Sequence, residues 1–287
     1  MPKTVGARHR FSRELTRLNS EIEAFVPGSI KGFLWYTCLT EEAFGSLRAP
    51  RAEAGRLDQV APEVQLREAS HLQSESRQTV LSQPIGVAAV VAAAGFSRRM
   101  GRFKPLLPWG RSTVIEASAD ALIGGGASPV LVVVGHRGAE IAERFAGATA
   151  GVVFNPDYAR NEMLRSFQVG VEALLSENRP LGGSLLALGD QPHIPVAVVR
   201  SIIGYAAENA DLIVVPSHNR RRGHPVFLPR RLFAELLRMK VGQSLRDLLN
   251  GHAEEIVYVD VEGDSVRRDM DLPAEYEALR AEFGGTE

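Results

Sequence analysis

The chain has a single cysteine, Cys38, among its 287 residues. That excludes an internal disulfide and any zinc site built on several cysteines. Long apolar runs are missing too. No stretch approaches the roughly 18 residues of a membrane-spanning helix, and the longest, 87–95, has strand length and ends in glycine. Nor is there an excess of one charge. The 33 Lys and Arg against 34 Asp and Glu leave a net charge of −1, with no whole-chain field to gather nucleic acid. The opening M-P-K-T-V-G-A-R-H-R is basic but runs into mixed charge, without the apolar core of a secretory signal. Both common phosphate fingerprints, G-x-G-x-x-G and G-x-x-x-x-G-K-[ST], are absent, which disfavours a nicotinamide-dependent oxidoreductase and a Walker-type NTPase. The expectation is a cytoplasmic protein with neither nucleic acid nor membrane as a partner.

What is present is unevenly spread. At 45% apolar and 23% charged residues the average is ordinary, and the length allows one large domain or two small ones. Residues 1–84 hold seven Val or Ile. Much of 45–84 is Ala, Arg, Glu, Gln and Ser, so 1–84 reads as an N-terminal extension, poorly structured or partly helical. Within it, 33–38 is a small apolar island suited to docking. No methionine lies between Met1 and Met100, so a shorter natural product would need another start codon near Val80 or Val87.

From Pro84 the texture changes. Apolar runs at 87–95, 129–135, 151–155, 184–190, 211–216 and 255–261 fit strands buried on both faces of a sheet. Between them, 114–122, 139–145, 163–175, 195–209 and 230–239 carry apolar residues at helical spacing. The alternation predicts one α/β domain over 85–283: three layers, with a mostly parallel, doubly wound, Rossmann-like sheet. Ligands in such folds bind at the carboxyl ends of the strands. The loops after Ala94, Val134, Phe154 and Leu188 are therefore where chemistry is expected.

The first of these loops is A-A-A-G-F-S-R-R-M-G-R-F-K-P-L-L-P (92–108). Gly95 and Gly101 permit sharp turns and close approach of a ligand. Ser97 adds a hydroxyl, and Arg98, Arg99, Arg102 and Lys104 place four cations within seven residues. Polyphosphate binding needs many donors and neutralising charge, as supplied here. The same residues also suit a basic surface turn that uses its glycines only to bend.

Acidic residues follow. Asp190, in G-D-Q-P after the strand-like S-L-L-A-L, is placed to hold a cation against phosphate oxygens, or to cap a turn. Asp269 and Asp271 alternate in R-D-M-D-L-P, so on an extended chain both face one side. Asp271, followed by Pro273 and Glu275, also reads as a helix N-cap. A few carboxylates plus waters suit Mg²⁺, or Mn²⁺ in its place. His136, His193 and His224 match no local zinc spacing. Arg220–Arg222, in H-N-R-R-R-G-H-P, read as a solvated loop or as a site for a phosphate-bearing partner.

The segment A-A-G-F-S-R-R-M-G-R-F-K resembles the N-terminal signature of the MobA-like nucleotidyltransferases, [LA]-A-[AG]-G-x-S-x-R-M-G-x-x-K. Its A-A-G-x-S form, with K-P-L-L-P-W-G after it, is most similar to molybdenum cofactor cytidylyltransferases. V-V-G-H-R (133–137), N-P-D-Y (155–158), G-D-Q-P (189–192), G-H-P-V (223–226) and D-M-D-L-P-A-E-Y (269–276) follow in family order, so the resemblance covers about 86–280. It implies transfer of a nucleoside monophosphate, CMP by preference, from a nucleoside triphosphate to a phosphorylated acceptor. The acceptor implied is molybdopterin, and pyrophosphate leaves. Lys104, Arg99 and Asp190 would be catalytic. The nucleotide would meet Ala93, Ala94, Gly95, Phe96, Ser97, Arg98, Met100, Gly101, Gly135, His136, Arg165 and Ser166. Gln191, Pro192, Gly223, His224 and Pro225 would line the acceptor side. Asp190 would bind the metal with Asp271, and Asp269 would support it or take its place. Leu272 departs from the usual Thr of the last block. Transient contact with a molybdoenzyme or its chaperone is a further implied partnership. Two other readings remain: a sugar-phosphate or other small phospho-acceptor nucleotidylyltransferase, and a non-catalytic cofactor-binding chaperone. The chaperone would be marked by loss of Lys104 or Asp190, and both are present.

Overall fold

The computed structural model describes residues 86–160 and 162–283; the expectations for 1–84 lie outside the described residues. The described residues form ten strands: β1 (Val87–Ala93), β2 (Pro108–Trp109), β3 (Ser112–Thr113), β4 (Val130–Val134), β5 (Gly151–Phe154), β6 (Gly183–Leu188), β7 (Ile213–His218), β8 (Arg221–Arg222), β9 (Val226–Pro229) and β10 (Ile256–Asp260). Seven α-helices alternate with them: α1 (Val114–Gly125), α2 (Gly138–Arg144), α3 (Met163–Ser176), α4 (Val196–Glu208), α5 (Phe233–Arg238), α6 (Leu245–Gly251) and α7 (Pro273–Phe283).

The main sheet runs β10-β7-β9-β6-β1-β4-β5. β1, β4, β5 and β6 are parallel, as are β7 and β10. β9 runs antiparallel to both of its neighbours, β6 and β7. The expected mostly parallel α/β sheet is thus observed, with β9 reversed near its middle and the two-residue β8 reversed beside β7. β9 escapes sequence reading because its short apolar run lies between Pro225 and Pro229. Arg230–Met239, expected as one helix, divides into a 3₁₀ turn at 230–232 and the short α5.

Strand alternation divides the core between two faces. Val87, Ala89, Val91 and Ala93 of β1 join Ile115, Leu122, Ile141 and Ile202 on the side of α1, α2 and α4. Ala88 and Val90 join Phe167, Val171, Leu174, Leu236 and Leu248 on the side of α3, α5 and α6. Each fully buried Val, Leu, Ile or Phe among them contributes about 1.5–3 kcal/mol relative to exposure. A smaller third cluster, of Met100, Leu107, Trp109, Val114, Met270, Tyr276 and Leu279, fastens the chain after β1 to α7.

Candidate active site

The carboxyl ends of β1 and β6 and the start of α3 enclose a cleft of about 300 Å³. The loop after β1 forms its wall from Ala92 to Met100, with Lys104 and Pro105. Ser97 and Gly101 adopt left-handed backbone at either end of a 3₁₀ turn, at φ 55° and 66°. The Ser97 hydroxyl accepts the Lys104 backbone N–H at 3.1 Å, closing the loop on itself. Met100 is buried in the third cluster and anchors the turn, while Arg98 and Arg99 stay exposed. Arg98 lies over the Phe96 ring at 4.6 Å.

Opposite this loop stand two carboxylates. Lys104 Nζ donates to Asp190 Oδ2 and, at 2.9 Å, to Asp271 Oδ1. Arg99 takes the other Asp271 oxygen at 2.7 Å. Burial lowers the affinity of Lys104 for its proton, but the two carboxylates outweigh that, and the ammonium is held above its ordinary pKa. Asp271 does not cap α7. Glu275 accepts the backbone N–H groups of Asp271 and Leu272, at 2.8 and 2.9 Å, which frees the Asp271 side chain for the cleft. Met270 beside it is buried, and the Tyr276 hydroxyl donates to Pro108 O at 2.7 Å. The loop carrying Lys104 and the segment carrying Asp271 are therefore held together. Asp269 is exposed and makes no hydrogen bond among the described residues. Partial desolvation, with repulsion from Asp271 and Asp190, pushes its carboxyl up.

Two carboxylates converging on one cation suit Mg²⁺ or Mn²⁺, which bind through one or two carboxylates together with substrate phosphates. Among the described residues no third acid or histidine joins them in a ligand cluster, so the remaining ligands would have to be phosphate oxygens and water.

The other expected residues separate. Ser166 lines the cleft beside Asn155, whose Nδ2 donates to Ser166 Oγ at 3.2 Å. Arg165, next to it, turns away and pairs with Asp157 and Glu172 at 3.1 and 3.0 Å. It does not line the cleft, because adjacent helical residues point about 100° apart. Gly135 and His136 lie behind the wall. A Cβ on Gly135 would stand 2.3 Å from Tyr158 Cβ, so glycine is needed here for close packing. His136 packs on Phe96 at 4.9 Å, and Phe96 on Tyr158 at 5.7 Å. Tyr158, Glu162 and Met163 join the cleft wall. The N-P-D-Y block pointed to this region without singling them out.

On the far side of Asp190, β9 brings Pro225 against Gln191 and Leu188 around a small gap of about 10 Å³. Gln191 and Pro192 are buried. Gly223 donates to Pro216 O at 2.8 Å, and His224 donates through its backbone to Val266 O at 3.3 Å. The enclosed His224 ring feels the Asp190 charge, yet burial dominates and holds it down at about 4. The β7–β8 hairpin turns through Asn219 and Arg220, both at positive φ, and carries Arg220 and Arg221 exposed at this end of the sheet.

Residues 89–256 match the family model described as the MobA-like NTP transferase domain. The chain is 29% identical over 190 residues to the molybdenum cofactor cytidylyltransferase of Escherichia coli, across 65% of this chain and 92% of that protein. A nucleotidyl transferase from Methanothermobacter shares the fold at a TM-score of 0.60 and 26% identity, over 69% of this chain and 97% of that one. A Mycobacterium tuberculosis protein crystallised in complex with manganese does so at a TM-score of 0.54 and 28% identity, over 69% of this chain and all of that one.

Proposed function

This chain belongs to the MobA-like NTP transferase family, and on that premise we propose that it is a cytidylyltransferase acting on molybdopterin. Residues 85–283 would form the catalytic unit, with 1–84 as an extension. The observation that carries the reading is the pairing of a cationic, glycine-bent loop, 95–104, with Asp190 and Asp271 across one cleft. A dinucleotide site or a passive cofactor carrier has no need for that arrangement.

The acceptor's terminal phosphate oxygen attacks the α-phosphorus of CTP. A new P–O bond forms, the bond to the β-phosphate breaks, and pyrophosphate leaves with the electron pair. The nucleophile is already anionic, so no strong general base is required. The chain's task is to position and to offset charge. Backbone N–H groups near Gly95–Ser97 and the side chains of Lys104 and Arg99 receive the β- and γ-phosphates. Asn155 and Ser166 face the nucleoside across the wall of alanines. Asp190 and Asp271 would hold a divalent cation, which supplies Lewis-acid stabilisation of the phosphates when bound. Arg220 and Arg221, both exposed, provide cations for the acceptor's phosphate, while Gln191 and Pro225 are buried and support that side from within.

Pyrophosphate release is to be measured with CTP, GTP, ATP and UTP, Mg²⁺, and molybdopterin or sugar phosphates as acceptors. Turnover with CTP and molybdopterin is expected. A preference for GTP overturns the base assignment, and turnover with a sugar phosphate alone overturns the acceptor.

A further inference from the structure

The geometry points to Lys104 as an internal counter-ion that makes divalent-metal binding depend on prior or simultaneous nucleotide binding. This rests on the reading that Asp190 and Asp271 hold the metal. Lys104 Nζ sits where these carboxylates converge, bonded to Asp190 Oδ2 and to Asp271 Oδ1 at 2.9 Å, and its side chain is only 12% exposed. Arg99 occupies the second Asp271 oxygen from the solvent side. Both carboxylates are therefore already neutralised by cations of the chain itself.

A divalent cation arriving alone must separate Lys104 from both acids and leave a largely buried ammonium without a partner, which is costly. A nucleoside triphosphate removes that cost. Lys104 has a backbone anchored by Ser97 and a flexible side chain, so its ammonium can move from the carboxylates to phosphate oxygens on the same cleft wall. The vacated carboxylates then accept the metal that the nucleotide carries. Because binding free energies are linked, the same coupling makes the metal tighten the nucleotide.

The unusual consequence is that removing a catalytic cation strengthens metal binding. Mn²⁺ affinity is to be measured by calorimetry and by the electron paramagnetic resonance of free Mn²⁺, on the full chain with no nucleotide. Lys104→Ala should bind Mn²⁺ about tenfold more tightly than wild type, a typical coupling between linked sites. Arg102→Ala provides the control. It removes the same charge from the same loop, but Arg102 is exposed and makes no ion pair among the described residues, so its affinity should stay near wild type. With CTP added, both affinities should rise because the phosphates supply ligands, but wild type should gain about tenfold more than Lys104→Ala, whose carboxylates are already free. Equal nucleotide-free affinities in wild type and Lys104→Ala overturn the counter-ion role while leaving the metal site standing, and so does an equal gain in Arg102→Ala. Mn²⁺ binding that is unaffected by Asp190→Asn, or absent even with CTP, overturns the metal-site reading as well.

Discussion

Replacing His224 by Gln should remove a specific component of the protein's acid sensitivity. Burial holds the ring at about 4 against an ordinary 6.5, with Asp190 acting in the opposite sense. In the unfolded chain the imidazole takes up a proton as pH falls through 6.5, whereas in the fold it stays neutral until about pH 4. The unfolded state therefore binds more protons across that window. The stability from a neutral His224 is complete above pH 6.5, declines as pH falls, and levels off near pH 4. The difference of 6.5 − 4 = 2.5 units corresponds, at 1.36 kcal/mol per unit, to about 3 kcal/mol, of which most is lost by pH 4.5. Urea unfolding, followed by circular dichroism in EDTA from pH 7.5 to 4.5, measures this for wild type and His224→Gln. His193, also lowered chiefly by burial, shares the direction, and His252, raised by Glu255, opposes it. Both are present in the two proteins and cancel in the difference. Wild type should lose roughly 2–3 kcal/mol more than the variant between the two pH limits. Parallel curves would mean that the ring is not held neutral by its surroundings and would refute the argument.

Asp190→Asn should lower pyrophosphate release by about 10²–10³-fold with an unchanged circular dichroism spectrum, as expected for a lost electrostatic stabiliser. Gly135→Ala forces a methyl group against Tyr158. It should cost about 1–3 kcal/mol in chemical denaturation and raise KM for the nucleotide, because Tyr158 must leave the cleft wall. A Gly135→Ala protein with wild-type stability and KM would remove the packing role. Phe167, fully buried under the sheet, should cost about 3–5 kcal/mol when cut to Ala, read as a lower urea midpoint with kcat preserved in the folded protein.

The fold was legible wherever the sequence repeats a simple pattern. β1 and β4 are continuous apolar runs because they are buried on both faces, and the helices between strands show 3.6-residue spacing. α6 is short and mostly polar outside its three leucines, and a Ser244–Asp247 capping box marks its start, so period alone passes it over. The site was legible in part for a similar reason. Gly95 to Lys104 are contiguous, so one loop brings them together. Asp190 and Asp271 lie 81 residues apart and meet at Lys104 because Met270 and Tyr276 pack on the loop after β1. Arg165 and Ser166 read alike in sequence, but helical geometry sends one to an outer ion-pair cluster and the other into the cleft.

The reversed course of β9 gives distant residues leverage over the side of the cleft proposed to take the acceptor. Most cleft motifs follow their strands, whereas G-H-P precedes its strand and is delivered by a segment entering the sheet from the catalytic edge. β9 pairs with β6 over four rungs, from Leu186–Val226 near the cleft to Gly183–Pro229 at the opposite edge. A Cβ on Gly183 would stand 2.5 Å from Leu228 O and from the Phe227 ring. A slip of one rung there would turn every β9 side chain to the other face and shift His224 by about 3.4 Å along the strand. Gly183 therefore acts as a far-end stop for a sliding bolt, and a variant at this position should be scored as a substrate-specificity change as well as a stability change.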